Sequence, residues 1–352
     1  MTLIFDGLNW PLYTLGDAYS PRPPAEYIAG QVFRKPSVSM VFGAAGSLKS
    51  LLLIDLCACV ASGQPWLAQL DGTGGLPVTA GPVVFLDFDS GALAMHARIK
   101  AAGQARALGE ALSLFYVACP ALHLDATNPR LMDLLGQNLE PMKPRLIVVD
   151  NLTVVSGGAD QNRGDMAPIM SNFRRLSERT GAAVVIVHHS NKSGSGKRAT
   201  IERVIGHTSI VAALDCILFV ARESGADEIS VTSAKDRNAP VDPFGAAFHY
   251  ESQDDGELNT FRFVGQHVLD LSSDRAIRRV ILEAIEAKPG INQSEVIQEA
   301  KAVLDAVGEK RIANQLAYLA NAGRLAVRPG PRNAKLYYSP KTLNPYDAAM
   351  WL

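Results

Sequence analysis

The residues with the clearest chemical pattern form the segment Gly-Ala-Ala-Gly-Ser-Leu-Lys-Ser at positions 43–50, between an apolar run and an apolar helical pattern. In such an arrangement, loop N–H groups and the helix N-terminus surround a triphosphate, and a lysine reaches its terminal phosphates. Lys49 would supply that ammonium, and the Ser50 hydroxyl would bind Mg²⁺. The predicted phosphate-binding residues are Gly43, Ala44, Ala45, Gly46, Ser47, Leu48, Lys49, Ser50 and Leu51.

Two further apolar runs end in carboxylates, and open α/β sheets bind ligands at the carboxyl ends of their strands. The first run, at 82–89, ends in Asp-Phe-Asp, and Asp89 is the candidate for orienting an attacking water, with Asp87 as the runner-up. The alternative role for Asp89 is to cap the helix that follows near Gly91. The second run, at 146–150, has the pattern of a buried strand, and its final Asp150 is predicted to hold Mg²⁺.

A third run, at 183–189, ends in two histidines at the same predicted edge of the sheet. A histidine there could donate a hydrogen bond to the γ-phosphate, lose it on hydrolysis and so report the nucleotide state. Adjacent strand residues point to opposite faces, so one of the two is packed; we favour His189 over His188 as the sensor. After the last predicted strand, Lys235 and Arg237 could stabilise charge on a γ-phosphate bound to a neighbouring subunit.

A Gly/Ser-rich basic loop at 191–203 is a candidate for contact with a nucleic-acid backbone. Cations in such a loop bind phosphates without reading sequence. A solvated surface loop with no ligand is the competing interpretation. The cations predicted to bind DNA are Lys192, Lys197, Arg198 and Arg203.

The composition describes a globular chain with enough apolar residues for two domains, because 47% of its 352 residues are hydrophobic and 20% are charged. A net charge of −1 leaves any nucleic-acid binding to local basic patches. The first residues lack a signal-peptide pattern, and the longest apolar run, at 51–61, is too short to span a bilayer. We therefore expect a cytoplasmic protein without membrane contact. The four cysteines lack zinc-site spacing and are expected to be buried, reduced thiols.

From about residue 38 to residue 264, short β-branched runs alternate with amphipathic helical stretches, which is typical of a mostly parallel sheet with helices on both faces. The predicted strands lie at 38–42, 82–87, 113–117, 145–150, 183–188, 216–222 and 228–234. Residues 1–37 are rich in proline, with a brief helical signal at 25–31, and are predicted to form an arm or linker. The predicted α/β domain covers residues 38–265.

The C-terminal part changes character. Helical periodicity at 274–287, 292–300 and 308–322 is followed by two short strands within 324–338. This order resembles a small winged-helix domain, placed at 272–340 and followed by a tail at 341–352. Residues 321–346 contain basic but no acidic side chains, so Arg328 and Arg332 are predicted to bind DNA. A protein-docking module is the alternative.

The phosphate-loop segment, the 58–66 segment ACVASGQPW, the strand ending at Asp89, VVDN at 148–151, VHHS at 187–190 and KDRN at 235–238 together resemble the RecA-like ATPases of the plasmid RepA helicase type. The KDRN segment is also similar, more distantly, to the K-x-R-N ending of the motor domain of DnaB-type replicative helicases. The resemblance covers about residues 30–250. It implies an α/β RecA-like P-loop core, a ring that we expect to be a hexamer with nucleotide at each interface, and Mg²⁺-dependent ATP hydrolysis that drives movement along single-stranded DNA.

Residue by residue, the resemblance implies the same roles that the local patterns predict: Lys49 and Ser50 for phosphate and metal, Asp89 for the water, Asp150 for the metal, His189 as sensor, and Lys235 with Arg237 acting in trans. Two departures matter. These ATPases more often carry Glu where this chain has Asp89, so we expect slower hydrolysis or an altered water position. Leu48 stands where the pattern G-x-x-x-x-G-K-[ST] has its second glycine, so we expect altered loop packing with binding retained.

Two functions therefore compete. The first is an ATP-driven DNA translocase, a replicative helicase of a plasmid, phage or mobile element that works with replication proteins. The second is a recombination or regulatory protein in which ATP controls assembly on DNA without unwinding. A small-molecule kinase is disfavoured, because no lid or acceptor pocket is recognisable and the Lys235–Arg237 segment would have no role.

Overall fold

The computed structural model describes residues 2–5, 8–159, 166–189, 208–223, 225–252, 258–266, 274–304, 307–331 and 334–339. The chain divides into two compact units. Unit 1 comprises Met1–Val220, Ala234–Pro240 and Phe248–Val264, and unit 2 comprises Ala221–Ser233, Val241–Ala247 and Gly265–Leu352.

The strands, in chain order, are β1 Thr2–Phe5, β2 Leu8–Pro11, β3 Glu26–Ala29, β4 Val32–Lys35, β5 Ser37–Gly43, β6 Val83–Asp87, β7 Leu114–Ala118, β8 Leu146–Asp150, β9 Ala183–His189, β10 Cys216–Arg222, β11 Glu228–Asp236, β12 Phe244–Ser252, β13 Leu258–Gln266, β14 Ile291–Asn292, β15 Ala326–Pro329 and β16 Lys335–Tyr338. The α-helices are α1 Leu15–Tyr19, α2 Lys49–Ser62, α3 Ala92–Ala105, α4 Pro129–Leu139, α5 Leu152–Val155, α6 Met166–Thr180, α7 Thr208–Ala213, α8 Asp274–Ala287, α9 Gln293–Val303 and α10 Glu309–Asn321.

The largest element is a nine-stranded sheet in the order β13-β12-β11-β10-β5-β9-β8-β6-β7. The neighbours from β10 to β7 pair in parallel, whereas β11 and β12 pair antiparallel. The α/β fold class with a mostly parallel sheet, predicted from the alternating strand and helix patterns, is confirmed. Strands β5, β6 and β8 are buried along their whole length, which explains their near-continuous apolar sequences.

Helices α2 and α6 differ in how much of their surface is buried in the core. Helix α2 is buried on nearly all sides, in keeping with its almost wholly apolar sequence. Helix α6 is amphipathic and buries one stripe, which includes Ile169, Phe173 and Leu176, in the same cluster as Val149 of β8. Within α2, the carboxylate of Asp55 is completely buried and accepts two hydrogen bonds from the Arg106 guanidinium, at 3.0 and 2.6 Å.

The helical expectation for residues 25–31 was wrong, because this segment contributes to the antiparallel hairpin β3–β4. Gly30, at φ 55°, provides the turn between the two strands. The hairpin buries Ile28, Ala29, Val32 and Phe33, an apolar content that the count of prolines in residues 1–37 concealed.

Two strands and one cysteine also differ from expectation. Strands β12 and β13 were not predicted, although the ring of Phe248 on β12 contacts the rings of Phe261 and Phe263 on β13 in a tilted arrangement. Cys119 is exposed, because it follows β7 at the edge of the sheet, whereas Cys57, Cys59 and Cys216 are buried as expected.

None of the helices in the described part of the chain is both long and apolar enough to cross a bilayer.

In unit 2, the helices α8, α9 and α10 accompany a small antiparallel sheet of order β14-β16-β15, in which β14 lies between α8 and α9 in the chain and β15 and β16 follow α10. The hydrophobic core of unit 2 contains Ile277, Ile281, Val296 and Leu316. Asn292 starts α9 with a capping box, since its side chain accepts from Ser294 N and Glu295 N while the Glu295 side chain accepts from Asn292 N. The three helices and the strands β15 and β16 follow the predicted order, whereas β14 was not predicted. The winged-helix assignment and the proposed domain boundaries stay predictions. The predicted tail at 341–352 lies outside the described residues.

Candidate active site

Four neighbouring parallel strands bring the predicted site residues to one edge of the sheet, called here the carboxyl edge because β5, β9, β8 and β6 all end there. The pairing register places Gly43 opposite His189 and Asp87 opposite Asp150. The side chains that follow or end these strands therefore meet, although they are far apart in the sequence.

The loop after β5 adopts the tight conformation that its sequence predicts. A Cβ at Gly43 would lie 2.2 Å from the carbonyl oxygen of Val220, so only glycine fits there. Gly46 has φ 76°, and Leu48, in the place of the second glycine, has φ 64° and begins α2 in the left-handed region. For a residue with a side chain this conformation costs about 1–2 kcal/mol, so the loop keeps the geometry that glycine usually supplies at an energetic penalty.

Lys49 is only 3% exposed and folds back onto its own loop. Its Nζ donates to Gly43 O at 3.0 Å, to Ala44 O at 2.7 Å and to Ser47 Oγ at 3.2 Å. Burial lowers the pKa of Lys49 from 10.5 to about 8, against the opposing effect of the Asp150 carboxylate. The ammonium therefore stands at the loop that would hold phosphates, with neutral oxygens as its present partners.

Asp150 lies at the end of β8 and is 2% exposed. Burial raises its pKa to about 6; the carboxylates of Asp87 and Asp89 add to the rise, and a hydrogen bond with Ser50 opposes it. Its Oδ1 atom is buried and has no hydrogen-bond partner among the described residues. Oxygen donors with an unsatisfied buried atom suit Mg²⁺, so Ser50 and Asp150 fit the metal that the sequence predicts.

The two carboxylates near the end of β6 have different surroundings. Asp87 is fully buried and accepts hydrogen bonds from the backbone N and hydroxyl of Ser90, which hold its own turn. Asp89 has a half-exposed side chain, and its Oδ2 accepts from Asn151 Nδ2 at 2.9 Å. The alternative role as a helix cap is not observed, because the N-cap position of α3 is Gly91 and no side chain makes a capping hydrogen bond there. Asp89 is thus the carboxylate that can reach a ligand.

His189 lies beside Asp89, with Nε2 at 3.6 Å from Asp89 Oδ2. Burial and, secondly, Lys49 lower the pKa of His189, while Asp89 opposes that shift. His188 is buried in β9, as expected for the packed member of the pair. The structure thus brings Lys49, Ser50, Asp89, Asp150 and His189 together at the carboxyl edge.

Asn151 is the site residue that the sequence interpretation missed. Its Nδ2 orients Asp89, and its Oδ1 accepts from Val154 N at 3.2 Å, which caps α5. The signal was present, because Asn is among the preferred N-cap residues and stands directly before an apolar helical turn.

Lys235 and Arg237 lie at the opposite end of the strands, called here the amino edge. Arg237 N donates to Asp215 O, and Asp215 N donates to Val38 O near the start of β5. Lys235 Nζ donates to Val211 O at 2.6 Å, and Arg237 donates to Ala212 O at 2.7 Å and to Asp215 Oδ1 at 3.4 Å. The Lys235–Arg237 pair is therefore not part of the cluster at the carboxyl edge of its own chain.

Of the residues predicted to bind DNA, Arg328 alone lies in the described part of the chain. Its guanidinium carbon is 5.5 Å from the ring centre of Tyr338 in unit 2. Lys192, Lys197, Arg198, Arg203 and Arg332 lie outside the described residues.

Residues 11–195 match the family model described as an AAA domain. Among solved structures, the chain is similar to a separately solved ATPase domain, with a TM-score of 0.46 and 10% identity over 64% of this chain and 85% of that chain. It is also similar to the crystal structure of the RadB recombinase, with a TM-score of 0.44 and 14% identity over 62% of this chain and 90% of that chain. No curated protein matches the chain.

Proposed function

We propose that this chain, which belongs to the AAA domain family, is a RecA-like P-loop ATPase that forms a ring and acts as an ATP-driven DNA translocase, a replicative helicase of the RepA type. The proposed cofactors are ATP and Mg²⁺. The proposed partners are single-stranded DNA, replication proteins and further copies of the chain, assembled as a hexamer.

The cluster at the carboxyl edge supports the hydrolytic part of this proposal. When phosphates enter the loop, the Lys49 ammonium exchanges the neutral oxygens of Gly43, Ala44 and Ser47 for anionic ones, which adds a charge–charge attraction that the neutral acceptors lack. Mg²⁺ held by Ser50 and Asp150 would neutralise charge that develops on the phosphates. Asp89, oriented by Asn151, accepts a proton or hydrogen bond from the attacking water. His189 senses the γ-phosphate from the neighbouring strand.

The observation that carries the proposed assembly is the separation of the two charged sets. Arg237 approaches Asp215 and the start of β5, whereas the phosphate loop follows the end of that strand. A cation at the amino edge cannot act on its own loop without rearrangement, so in this proposal it acts on the nucleotide of a neighbouring copy.

Arg237 is better suited than Lys235 to reach across such an interface. Its side chain is half exposed, and Asp215 has a second partner in Arg174, whose NH2 lies 2.6 Å from Asp215 Oδ2. Release of Arg237 therefore leaves Asp215 paired. Lys235, in contrast, holds the last carbonyls of α7.

A mixing experiment tests action in trans. Lys49→Ala removes the phosphate ligand from a subunit that keeps Arg237, and Arg237→Ala removes the cation from a subunit that keeps its loop. We expect the DNA-stimulated ATP turnover of each variant alone to fall by at least about 10³-fold. A mixture of the two should regain part of that turnover, at interfaces between the two kinds of subunit. Arg130→Ala, at an exposed position on α4, is the matched control and should keep its turnover. If the mixture stays inactive while light scattering shows mixed oligomers, action in trans is excluded.

DNA contact in unit 2 is tested separately. Arg328→Ala should weaken binding to single-stranded DNA of any sequence and reduce the slope of log affinity against log salt by about 0.7, because one phosphate contact is lost. Tyr318→Phe in the same unit changes no charge and should leave the slope as it is. An unchanged slope in Arg328→Ala would show that this residue makes no phosphate contact.

The alternative, an ATP-controlled recombination or regulatory protein, is favoured by one observation. Asp89 is shorter than the glutamate expected there and is already hydrogen-bonded to Asn151, which suits slow turnover. A forked duplex separates the two functions. A helicase displaces a strand at the expense of ATP, whereas a switch protein binds DNA in an ATP-dependent manner and displaces none.

A further inference from the structure

Three side chains at the carboxyl edge form a mixed cluster of nitrogen and oxygen donors. One ligand atom from each of Asp89, Asp150 and His189 lies within 4.8 Å of the other two. The three come from the loop after β6, the end of β8 and the end of β9, so the sheet itself fixes their spacing. This set goes beyond the Ser50–Asp150 pair assigned to Mg²⁺, because it adds an imidazole.

A second observation points to a missing positive charge in this cluster. Asp150 is only 2% exposed, and its Oδ1 has no hydrogen-bond partner among the described residues. The other side of this carboxylate is engaged by Ser50. A buried, unpaired carboxylate oxygen is costly, and a bound cation removes that cost.

The neighbouring groups also orient the donors. Asn151 Nδ2 donates to Asp89 Oδ2 at 2.9 Å, and Asn151 is itself fixed by its cap on α5. Such outer hydrogen bonds commonly hold the carboxylate ligands of metals. The one nearby cation among the described residues with an electrostatic effect on both Asp150 and His189 is Lys49.

We propose that Asp89, Asp150 and His189 form a binding site for a divalent first-row transition-metal ion, and that the ion binds there in the absence of nucleotide. Carboxylates suit Mn²⁺ and imidazole suits the later members of the series, whereas Mg²⁺ prefers oxygen ligands and keeps its waters. The site shares Asp150 with the proposed nucleotide site but does not depend on nucleotide binding. The repulsion by Lys49 limits its affinity.

The test uses the full chain without nucleotide and Mn²⁺ as the probe, because the exposed Cys119 would compete for more thiophilic ions. Free Mn²⁺ is followed by electron paramagnetic resonance. We expect one site per chain, an affinity about tenfold lower in His189→Asn, and an Mg²⁺ affinity that changes less than about twofold in the same variant. His96→Asn, at an exposed position on α3, is the control and should bind Mn²⁺ as the unmodified chain does.

Two further measurements keep the outcome decisive. Pulsed resonance spectra of the unmodified, Mn²⁺-loaded chain should show coupling to a nitrogen nucleus, whether or not a variant folds. Lys49→Met should lose ATP binding and bind Mn²⁺ more tightly, so the metal site and the nucleotide site can fail separately. An unchanged Mn²⁺ affinity in folded His189→Asn, or the absence of nitrogen coupling, overturns the proposal.

Discussion

Replacing Lys49 with methionine should make the nucleotide-free chain more stable while abolishing ATP binding. Burial lowers the pKa of Lys49 from 10.5 to about 8, and each pKa unit corresponds to about 1.4 kcal/mol. The buried ammonium therefore costs the folded state about 3 kcal/mol at pH 7 relative to a solvated one. Methionine keeps most of the length and removes the charge. After allowance of about 1 kcal/mol for the hydrogen bonds lost by the loop, we expect a gain of about 1–3 kcal/mol.

The pH dependence of the free energy of unfolding has a defined sign. Below pH 8 the folded and unfolded chains both carry the proton on Lys49, and the cost is fully present. Between pH 8 and 10.5 the folded chain loses that proton first, so its stability rises with pH. Lys49→Met should lack this rise.

Urea denaturation without nucleotide measures both effects, with the fluorescence of the buried Trp66 as a reporter of unit 1 in chains that carry Trp10→Phe and Trp351→Phe. Lys100→Met, at an exposed position on α3, is the matched control and should change stability by less than about 0.5 kcal/mol. The reasoning is refuted if Lys49→Met is no more stable than the parent chain at pH 7, or if both gain equally between pH 8 and 10.

Three other predictions concern single side chains. Asp89→Asn should lower ATP turnover by about 10²–10⁴ while a fluorescent ATP analogue still binds; a loss of less than about tenfold would contradict its role towards water. Burial raises the pKa of Asp150 from 3.8 to about 6, so the parent chain should lose up to about 3 kcal/mol of stability as pH rises from 4 to 6. Asp150→Asn should not show this loss of stability. Urea titrations of the parent chain and of Asp150→Asn at pH 4 and pH 6 measure it, and an equal pH dependence in both chains would disprove the prediction. Arg106→Met leaves the buried carboxylate of Asp55 without the guanidinium that it pairs with, and should lower the free energy of unfolding, measured by thermal or urea denaturation, by about 3–5 kcal/mol. Adding Asp55→Leu should recover most of that loss. A double variant as unstable as the single one would count against this account.

The buried parallel strands were the part of the fold most open to prediction. Strand β10 has the predicted bounds, and β5, β6 and β8 differ from their predicted bounds by a single residue at one or both ends, because strands buried on both faces read as continuous apolar runs. The hairpin β3–β4 was missed, since each strand has only four residues and its two buried apolar residues are adjacent, so neither strand shows the alternation typical of a half-buried strand. Strands β12 and β13 carry polar residues between their aromatic ones, which weakens the apolar signal of each strand.

The sequence predicted which residues form the site but not which hydrogen bonds they make. Strand ends can be read from sequence, and the parallel order then brings Lys49, Asp89, Asp150 and His189 to one edge. The sequence already favoured Asp89 over Asp87; what it could not supply was the set of hydrogen bonds that Ser90 gives to Asp87 and that hold Asp87 in its own turn. The contact of Asn151 with Asp89 likewise depends on pairing between β6 and β8.

If Arg237 acts on a neighbouring copy as proposed, the positions of the Lys49 loop and Arg237 at opposite ends of β5 give each copy one accepting face and one donating face. Two copies related by a two-fold axis would present identical faces and so could not complete each other's sites. The proposed action in trans therefore requires a heterologous contact, as in a closed ring or an open helical polymer. In an open polymer the copy at one terminus always lacks a donor, and only closure completes every site. ATP turnover per chain should therefore rise steeply with protein concentration and reach a plateau once the chains form closed rings.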